Sequence, residues 1–331
     1  MSNVMDLVEL CRDKKVYIQV HDFPDADAIT SAFGLQKLLE NFKISTCLCY
    51  KGQIDKLSAA KVLDAFHVEM YAYEQVCHEM TEADYIICVD SQKNAGNMRD
   101  FVGNEIACID HHPIFVENGY RYEDIRMTGA CATLIAEYYA RLDCIPSCEV
   151  ATSLLYGIKM DTLQFSRGVT LLDVEMYAFL LPFCDQETLA YLERNNMEIN
   201  DLRAYGAAIN SIYQYKEMGI CFIPFSCPDG LIAAVSDFVL SLHEVFVSVV
   251  CSTRQDGIKI SVRSELSQIH AGQLIHDALK GLGNGGGHAS MAGGFIPHVK
   301  LKALEGTPED RITALLLETM ERMQSVTCSE K

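Results

Sequence analysis

The first half of the chain alternates short apolar runs, rich in β-branched residues, with longer segments of helical periodicity. Residues 16–20, 85–89 and 106–109 are such runs, and residues 27–42 carry apolar side chains at helical spacing after the first of them. Apolar strands separated by helices are typical of a parallel sheet with helices on both faces. The pattern therefore predicts an N-terminal α/β domain, to which we assign residues 1–186.

The pattern changes beyond about residue 170, where the chain becomes polar, charged and helical up to about residue 214. We interpret residues 187–214 as a helical linker between two domains. Strand-like runs then return and predict a smaller C-terminal α/β domain over residues 215–331, the runs being 219–224, 245–250 and 257–262.

Acidic residues and histidines follow the strand-like runs, at the point where each predicted strand ends. A single Asp in such a place is more often the N-cap of the next helix, and two adjacent histidines are usually surface loop. The carboxyl ends of parallel strands, however, converge on one crevice, and imidazole and carboxylate ligands suit divalent metals. The acidic residues and histidines in these positions are His21, Asp25, Asp27, Asp90, Asp110, His111, His112 and Asp161.

These segments resemble, in order, the motifs of the DHH phosphoesterase superfamily: residues 21–28 (HDFPDADA), 89–91 (VDS), 110–112 (DHH) and Asp161. Residues 261–264 (SVRS) and 285–288 (GGGH) resemble the signatures of the associated DHHA1 domain. The length and two-domain order are most similar to the nanoRNase and pAp-phosphatase branch. The resemblance thus implies a parallel-sheet DHH domain with helices on both faces, a helical connector and a smaller α/β DHHA1 domain.

The resemblance also implies roles for the strand-end residues in two-metal hydrolysis of a phosphate ester. One metal would be held by His21, Asp25 and Asp90. The other would be held by Asp27, Asp90, His111 and Asp161, so that Asp90 bridges the pair. His112 would contact the phosphate or protonate the leaving oxygen, and Asp110 would orient a histidine.

Substrate contacts are expected from the second domain. Arg263 follows a strand and can hold a terminal phosphate bidentately, although a surface salt bridge is the alternative. Taken alone, the glycine-rich stretch 281–288 is more often a flexible loop than a site, but the resemblance favours anion and base binding. The predicted substrate contacts are Arg263, Ser264, Gly285, Gly286, Gly287 and His288.

Two further features of the first domain concern the phosphate and the metal-binding loop. The helix predicted over residues 128–139 would point its first N–H groups at a phosphate, or else be a tightly packed core helix. The family commonly has Asn at the position of Phe23, where an amide can tie down the loop. Whether Asp22 replaces that amide, as an acceptor for backbone N–H groups, stays open at the level of sequence.

The charge and the cysteine content of the chain limit the substrates and the environment that we expect for it. A net charge of −18, with Lys and Arg spread singly, argues against long nucleic acid, which needs a basic track. The fourteen cysteines lie largely in apolar runs and are interpreted as reduced thiols. With no leader-like start and no apolar stretch of about 18 residues, we expect a cytoplasmic protein without membrane contact. Apolar residues near 171–172 and 179–181 either pack the connector or form a homodimer contact.

The function expected from these features is hydrolysis of short linear dinucleotides, of the pGpG or pApA type, to 5′-mononucleotides. A pAp 3′-phosphatase is the main alternative. Cleavage of a cyclic dinucleotide, polyphosphate chemistry and a non-catalytic nucleotide sensor are less favoured. Two divalent ions are expected. Mixed imidazole and carboxylate ligands favour Mn²⁺ over Mg²⁺ or Ca²⁺, and Mg²⁺ or Co²⁺ are the alternative ions. The preference for guanine or adenine stays open.

Overall fold

The structure of the protein is a computed structural model that describes residues 3–114, 116–194, 196–302 and 306–329, with side chains up to residue 325. The chain divides into two compact units, Met1–Asn196 and Met197–Lys331. The segment predicted as a linker, residues 187–214, spans the end of the first unit and the start of the second. Its boundaries stay a prediction.

The first unit is built on a six-stranded sheet in the order β3-β2-β1-β4-β5-β6, in which all described pairs of strands are parallel. Strand β1 therefore lies inside the sheet, between β2 and β4, and β4 pairs in turn with β5. The strands are β1 (Val16–Gln19), β2 (Thr46–Tyr50), β3 (Met70–Ala72), β4 (Tyr85–Val89), β5 (Asn104–Asp110) and β6 (Tyr122–Ile125).

Helices cover one face of this sheet, where Ile18, Ile87 and Ile109 join the main apolar core. The other face, which carries Tyr17 and Cys88, is covered by the short helix α4 and by the segment around Phe101. The helices of the unit are α1 (Val4–Cys11), α2 (Ala26–Glu40), α3 (Leu57–Ala65), α4 (Tyr73–Val76), α5 (Cys131–Arg141), α6 (Cys148–Asp161), α7 (Leu171–Leu180) and α8 (Gln186–Glu193), with a 3₁₀ turn at Leu181–Phe183.

Helices α2, α5 and α6 pack closely against one another in this core. Gly34 makes the approach of α2 to α6 possible, since a Cβ at Gly34 would lie 2.8 Å from Leu154 Cδ2. The tight packing holds the start of α2 and the end of α6 at fixed positions over the sheet edge.

The second unit has a mixed six-stranded sheet in the order β11-β12-β10-β9-β8-β7, in which β8 and β9 are parallel and the other pairs antiparallel. Its strands are β7 (Tyr213–Tyr215), β8 (Met218–Ile223), β9 (Val247–Thr253), β10 (Gly257–Ser264), β11 (Asn284–Gly287) and β12 (Met291–Pro297). Its helices are α9 (Asp201–Ser211), α10 (Asp229–Leu240), α11 (Ala271–Ala278), α12 (His298–Leu301) and α13 (Pro308–Ser329). Helices α9 and α10 pack on one face, α11 and α13 on the other.

This architecture confirms the predicted fold class, an α/β chain with a parallel N-terminal sheet and a second α/β domain. The glycine-rich stretch 281–288 contains a strand and is not a continuous loop. Residues Asn284–Gly287 form the edge strand β11, and the turn follows, where the N–H of His288 donates to the carbonyl of Met291 at 2.7 Å.

Cysteines in the two cores behave as small apolar residues. Cys88, Cys108, Cys221 and Cys251 are buried, and no described cysteine forms a disulfide. Burial raises the pKa of the Cys221 thiol to about 12, so this sulfur stays a neutral thiol. None of the helices within the described residues combines the length and apolar character that a membrane span requires.

Candidate metal centre

The candidate centre lies at the carboxyl edge of the parallel sheet in the first unit. Because β1, β4 and β5 are adjacent, the residues that follow these strands share one crevice. Six of the predicted ligands meet there: His21 after β1, Asp25 and Asp27 at the start of α2, Asp90 after β4, His111 after β5 and Asp161 at the end of α6.

Asp90 lies between the two histidines of this group. Its Oδ2 is 3.7 Å from Nε2 of His21, and its Oδ1 is 3.3 Å from Nε2 of His111. The residue is buried with a φ of +56°, a conformation that Asp tolerates better than most residues. Its Oδ1 has no hydrogen-bond donor among the described residues. A buried carboxylate oxygen without a donor is costly, and a cation in this position would satisfy it.

Two ligand groups flank Asp90. On one side, Asp25 Oδ1 lies 3.9 Å from His21 Nε2. On the other, Nε2 of His111 is 3.4 Å from Asp161 Oδ2 and 4.0 Å from Asp27 Oδ2. Ligands about 2.1 Å from a shared ion are separated by about 3–4 Å, so both groups fit a divalent metal without large movements.

The ring orientations of the two histidines suit metal binding. Nδ1 of His21 lies 2.8 Å from the carbonyl of Asp22, and Nδ1 of His111 lies 3.0 Å from the carbonyl of Thr128. Each carbonyl accepts a hydrogen bond from Nδ1–H, which leaves the lone pair on Nε2 directed into the centre. The backbone therefore selects the tautomer that a metal ligand needs.

Asp27 is held by the start of helix α5. Its carboxylate accepts from the N–H groups of Cys131 and Ala132 at 2.7 and 2.9 Å, and it is almost fully buried. The helix start predicted to face a phosphate is therefore occupied by this carboxylate, and α5 is a buried core helix. That part of the phosphate prediction is wrong because Asp27, 104 residues earlier in the chain, takes those donors.

Asp110 and His112 form a pair beside the ligand groups. Asp110 Oδ1 lies 2.9 Å from His112 Nδ1, and Gln92 Nε2 donates to Asp110 Oδ2 at 2.7 Å. Burial opposes ionisation of Asp110, but the hydrogen bonds from His112 and Gln92 prevail and lower its pKa. Asp110 is thus a fixed anion that orients the partly exposed ring of His112.

Negative charge accumulates in this crevice. Burial, followed by the charges of Asp90 and Asp161, raises the pKa of Asp27 well above its usual range. Burial and the charge of Asp25 raise the pKa of Asp161 to about 6. Burial opposes the charging of His21, yet Asp25 and Asp90 outweigh it and raise its pKa to about 9. The crevice without metal holds protons that a divalent cation would displace.

Comparison with known families agrees with the order of the motifs. Residues 15–161 match the DHH family, N-terminal domain, and residues 214–321 match the DHHA1 domain. The chain carries a DHH domain followed by a DHHA1 domain. This confirms the resemblance drawn from the motifs, and all six residues of the centre lie within the DHH match.

Individual relatives are distant. The "Uncharacterized protein MJ1633" of Methanocaldococcus jannaschii is 26% identical over 96% of this chain and 66% of its own length. "Cyclic-di-AMP phosphodiesterase GdpP" of Geobacillus thermodenitrificans is 26% identical over 89% of this chain and 47% of its own. The chain thus spans about two thirds of the first relative and about half of the second.

Among solved structures, an exopolyphosphatase-related protein from Bacteroides fragilis is similar over 98% of this chain and 96% of its own, with a TM-score of 0.77. The sequence identity is 22%, so the likeness supports the fold of both domains and nothing finer.

Two cations of the first unit were not anticipated from the sequence. Lys56 Nζ lies 3.2 Å from Asp25 Oδ2, and Arg167 Nη2 donates to the carbonyl of Asp161 at 3.1 Å. Lys56 precedes α3 and belongs to no strand-end motif, so no pattern marked it. Arg167, six residues beyond Asp161, carried the weak signal of proximity to a motif.

Asp22 accepts one long hydrogen bond from the backbone in the loop that follows β1. Its Oδ1 accepts from the N–H of Arg99 at 3.4 Å, and its own N–H donates to the carbonyl of Asn97 at 2.7 Å. The neighbouring Phe23 has a φ of +60°, in the left-handed region where Asn is several-fold enriched.

The predicted substrate contacts lie in the DHHA1 domain. Arg263 Nε donates to Asp237 Oδ1 at 2.7 Å, and its Nη1 donates to Ser261 Oγ at 3.2 Å. Ser264 is buried, and its hydroxyl donates to the carbonyl of Ile269 at 2.7 Å, which is a contact within the domain. The substrate roles of both residues stay predictions.

The glycines of β11 pair with β12, and their packing is uneven. A Cβ on Gly285 would lie 2.9 Å from the carbonyl oxygen of Ile275, whereas Gly286 has open space around it. His288 closes the turn, and its carbonyl accepts from the N–H of Gly272. The strand therefore presents backbone on one side and is tightly packed on the other; its role in anion and base binding stays a prediction.

Proposed function

We propose that the protein is a two-metal phosphodiesterase that hydrolyses short linear dinucleotides, of the pGpG or pApA type, to 5′-mononucleotides. One observation carries the proposal: Asp90 lies between His21 and His111, with an oxygen that lacks a donor among the described residues. Each histidine has further carboxylates around it. Such a bridged pair of sites suits phosphoryl chemistry.

When bound, two divalent ions would neutralise phosphate charge and supply a hydroxide nucleophile. Asp25, His21 and Asp90 would hold the first ion, and the second would be held by Asp90 together with Asp27, His111 and Asp161. Imidazole nitrogens beside carboxylates favour Mn²⁺, with Mg²⁺ and Co²⁺ as alternatives.

His112 is the proposed proton donor to the leaving oxygen. Asp110 holds its Nδ1, so its Nε2 is available, and its side chain is 39% exposed. Asp110 keeps the ring oriented and stabilises its charged form. A histidine held in this way positions a proton beside the centre without serving as a ligand.

Charge supports a short substrate. The net charge of −18 repels a long polyanion, and Lys and Arg are spread singly along the sequence. Binding energy for a dinucleotide would come from the metals and from remote contacts, for which Arg263, Ser264, Gly285, Gly286, Gly287 and His288 are the proposed residues.

Cyclic dinucleotide cleavage is a second candidate, because relatives that match over most of this chain bear the name cyclic-di-AMP phosphodiesterase. Removal of the 3′-phosphate of pAp remains a further alternative, since the same centre can attack either ester.

Product chromatography tests these proposals. Metal-stripped protein is supplied with Mn²⁺, Mg²⁺ or Co²⁺ and incubated in parallel with pGpG, pApA, a five-nucleotide RNA, pAp and cyclic di-AMP, beside an Asp90→Asn control. Rapid release of mononucleotides from the dinucleotides, with slow attack on the longer RNA and loss in the control, is expected. Turnover of pAp or cyclic di-AMP alone would replace the proposal, and binding without turnover would indicate a sensor.

A further inference from the structure

An aromatic ring lies unprotected at the rim of the candidate metal centre. Phe23 is 56% exposed, more than any other Phe or Tyr side chain that the structure describes, and the chain has no Trp. It is two residues from His21 and two from Asp25, so its Cα is within about 7 Å of each of theirs. A large apolar side chain in this place is desolvated only when something covers it.

The backbone at Phe23 is strained. Its φ of +60° lies in the left-handed region, which bulky residues rarely adopt, and the residue precedes Pro24, where extended backbone is normal. Strain of this kind persists at sites of function when the surrounding structure holds it. Here the N–H of Phe23 donates to the carbonyl of Lys51 at 3.2 Å, which holds the loop in place.

A structural role does not account for the ring. A Cβ at Gly52 would lie 3.3 Å from Phe23 Cε1, so the ring touches the backbone of Gly52 by an edge. It belongs to none of the apolar cores of the described residues. Phe23 thus combines backbone strain with an exposed apolar surface and gains little packing in return.

A cation also lies beside the candidate centre, at Asp25. Lys56 reaches Asp25, and its side chain is 46% exposed. An aromatic face and an ammonium group beside a phosphate-binding centre are the groups that a nucleotide requires, since a base stacks on a ring and its phosphates attract a cation.

We propose that the Phe23 ring is the stacking platform for one nucleobase of the substrate. The inference rests on the proposed nucleotide function and deepens it, because it assigns base recognition to the DHH domain itself. Stacking of this kind tolerates either purine. Its loss is expected to lower kcat/KM by about 5- to 100-fold, mainly through KM.

Three variants separate stacking from strain. In Phe23→Asn the ring is replaced by a residue that tolerates the left-handed region; Phe23→Leu keeps an apolar side chain, and Phe23→Tyr keeps a ring. We expect the Asn and Leu variants to lose activity on pGpG and pApA and the Tyr variant to retain it. The melting temperature of Phe23→Asn should equal or exceed that of the wild type, and its Mn²⁺ affinity by calorimetry should be unchanged.

The decisive substrates are two dinucleotide analogues in which one base or the other is replaced by hydrogen. The wild type should cleave the analogue that lacks the stacked base slowly. On that analogue, Phe23→Asn should be no slower than the wild type. A matched control is Tyr191→Asn, which removes a ring of similar exposure on helix α8. The inference is overturned if kcat/KM of Phe23→Asn stays within about twofold of the wild-type value on intact dinucleotides. It is also overturned if Phe23→Asn lowers kcat/KM by the same factor on both analogues.

A separate measurement distinguishes failure of this inference from failure of the proposed reaction. Should the wild type cleave no dinucleotide, binding of 5′-GMP and of ribose 5-phosphate to the Mn²⁺-loaded protein is compared by calorimetry. If the wild type binds 5′-GMP more tightly than ribose 5-phosphate and Phe23→Asn loses this preference, the stacking platform is supported even though the proposed reaction is not. Equal affinity for the two ligands refutes it.

Discussion

Replacing Asp173 with alanine should weaken metal binding, although Asp173 is not a member of the ligand groups. Asp173 is completely buried and accepts from the N–H of Gly129 at 3.0 Å, from Thr133 Oγ1 and from the N–H of Thr170 at 2.6 Å. Gly129 follows Thr128, whose carbonyl receives Nδ1 of His111. The carboxylate therefore fixes the turn that orients a metal-binding ring.

The structure sets the expected size of the effect. In Asp173→Ala the buried N–H of Gly129 and the buried hydroxyl of Thr133 lose their acceptor, and each such loss costs about 1–3 kcal/mol, so stability should fall by about 2–6 kcal/mol. Removing a group that supports a metal ligand typically lowers metal affinity by about 10- to 100-fold. Asp173→Asn keeps one acceptor oxygen and should lie between the wild type and the alanine variant in both quantities.

Two measurements on metal-stripped protein check this prediction: Mn²⁺ titration calorimetry and urea denaturation. Leu192→Ala is a matched control, because Leu192 is fully buried in the same core and its truncation costs a similar amount, about 2–5 kcal/mol, without touching the turn. The control should lose stability and keep its Mn²⁺ affinity. If Asp173→Ala also keeps wild-type Mn²⁺ affinity, the positioning argument is refuted.

Three other outcomes are expected. Asp90→Asn should lose the stabilisation that Mn²⁺ confers on the wild type, which is about 2.7 kcal/mol at about one hundred times Kd, and a melting curve that still shifts with Mn²⁺ would contradict this. Without metal, stability should fall as pH rises: the pKa of His21 is raised from 6.5 to about 9, so its stabilising effect is complete below pH 6.5 and lost through pH 9, by up to about 3 kcal/mol. The pKa of Asp161 is raised to about 6, so its protonated form also stabilises the fold, and this stability is lost as pH rises through 6. Urea titrations with and without Mn²⁺ check both effects, and stability that rises with pH would refute them. Lys56→Met should raise Mn²⁺ affinity by up to about fivefold, because an exposed pair with Asp25 is weak, while KM for a dinucleotide rises; unchanged values of both would count against its assigned place.

Much of the fold and of the candidate centre was predictable from local patterns. Strand-like runs that end in His21, Asp90 and His111 mark three neighbouring strand ends, because periodicity and residue type are local properties of the chain. The general rule that parallel strands end at one crevice then places these side chains together. That rule needs no knowledge of which residues pack between the strands.

Contacts between distant segments were not predictable in the same way. For the start of α5 the sequence left two alternatives, a phosphate site and a packed core helix, and only the packing of α2 against α5 shows that Asp27 takes its N–H groups. The contact of Lys56 with Asp25 also depends on packing between distant segments. So does the hydrogen bond by which Asp173 supports the turn at Gly129. Such partners depend on how helices pack, and no short motif encodes that geometry.

The sequence by itself determined the order of the DHH and DHHA1 motifs, the α/β class and the candidate residues of the centre, since each of these depends on the type and local order of residues. The tertiary structure alone decided which ligand atoms come together at the centre. It showed that Asp90 lies between two histidines, that carbonyls select their tautomers, and that Phe23 is held in a strained, exposed position at the rim. These features arise from distances across a packed core, which the linear order of residues does not specify.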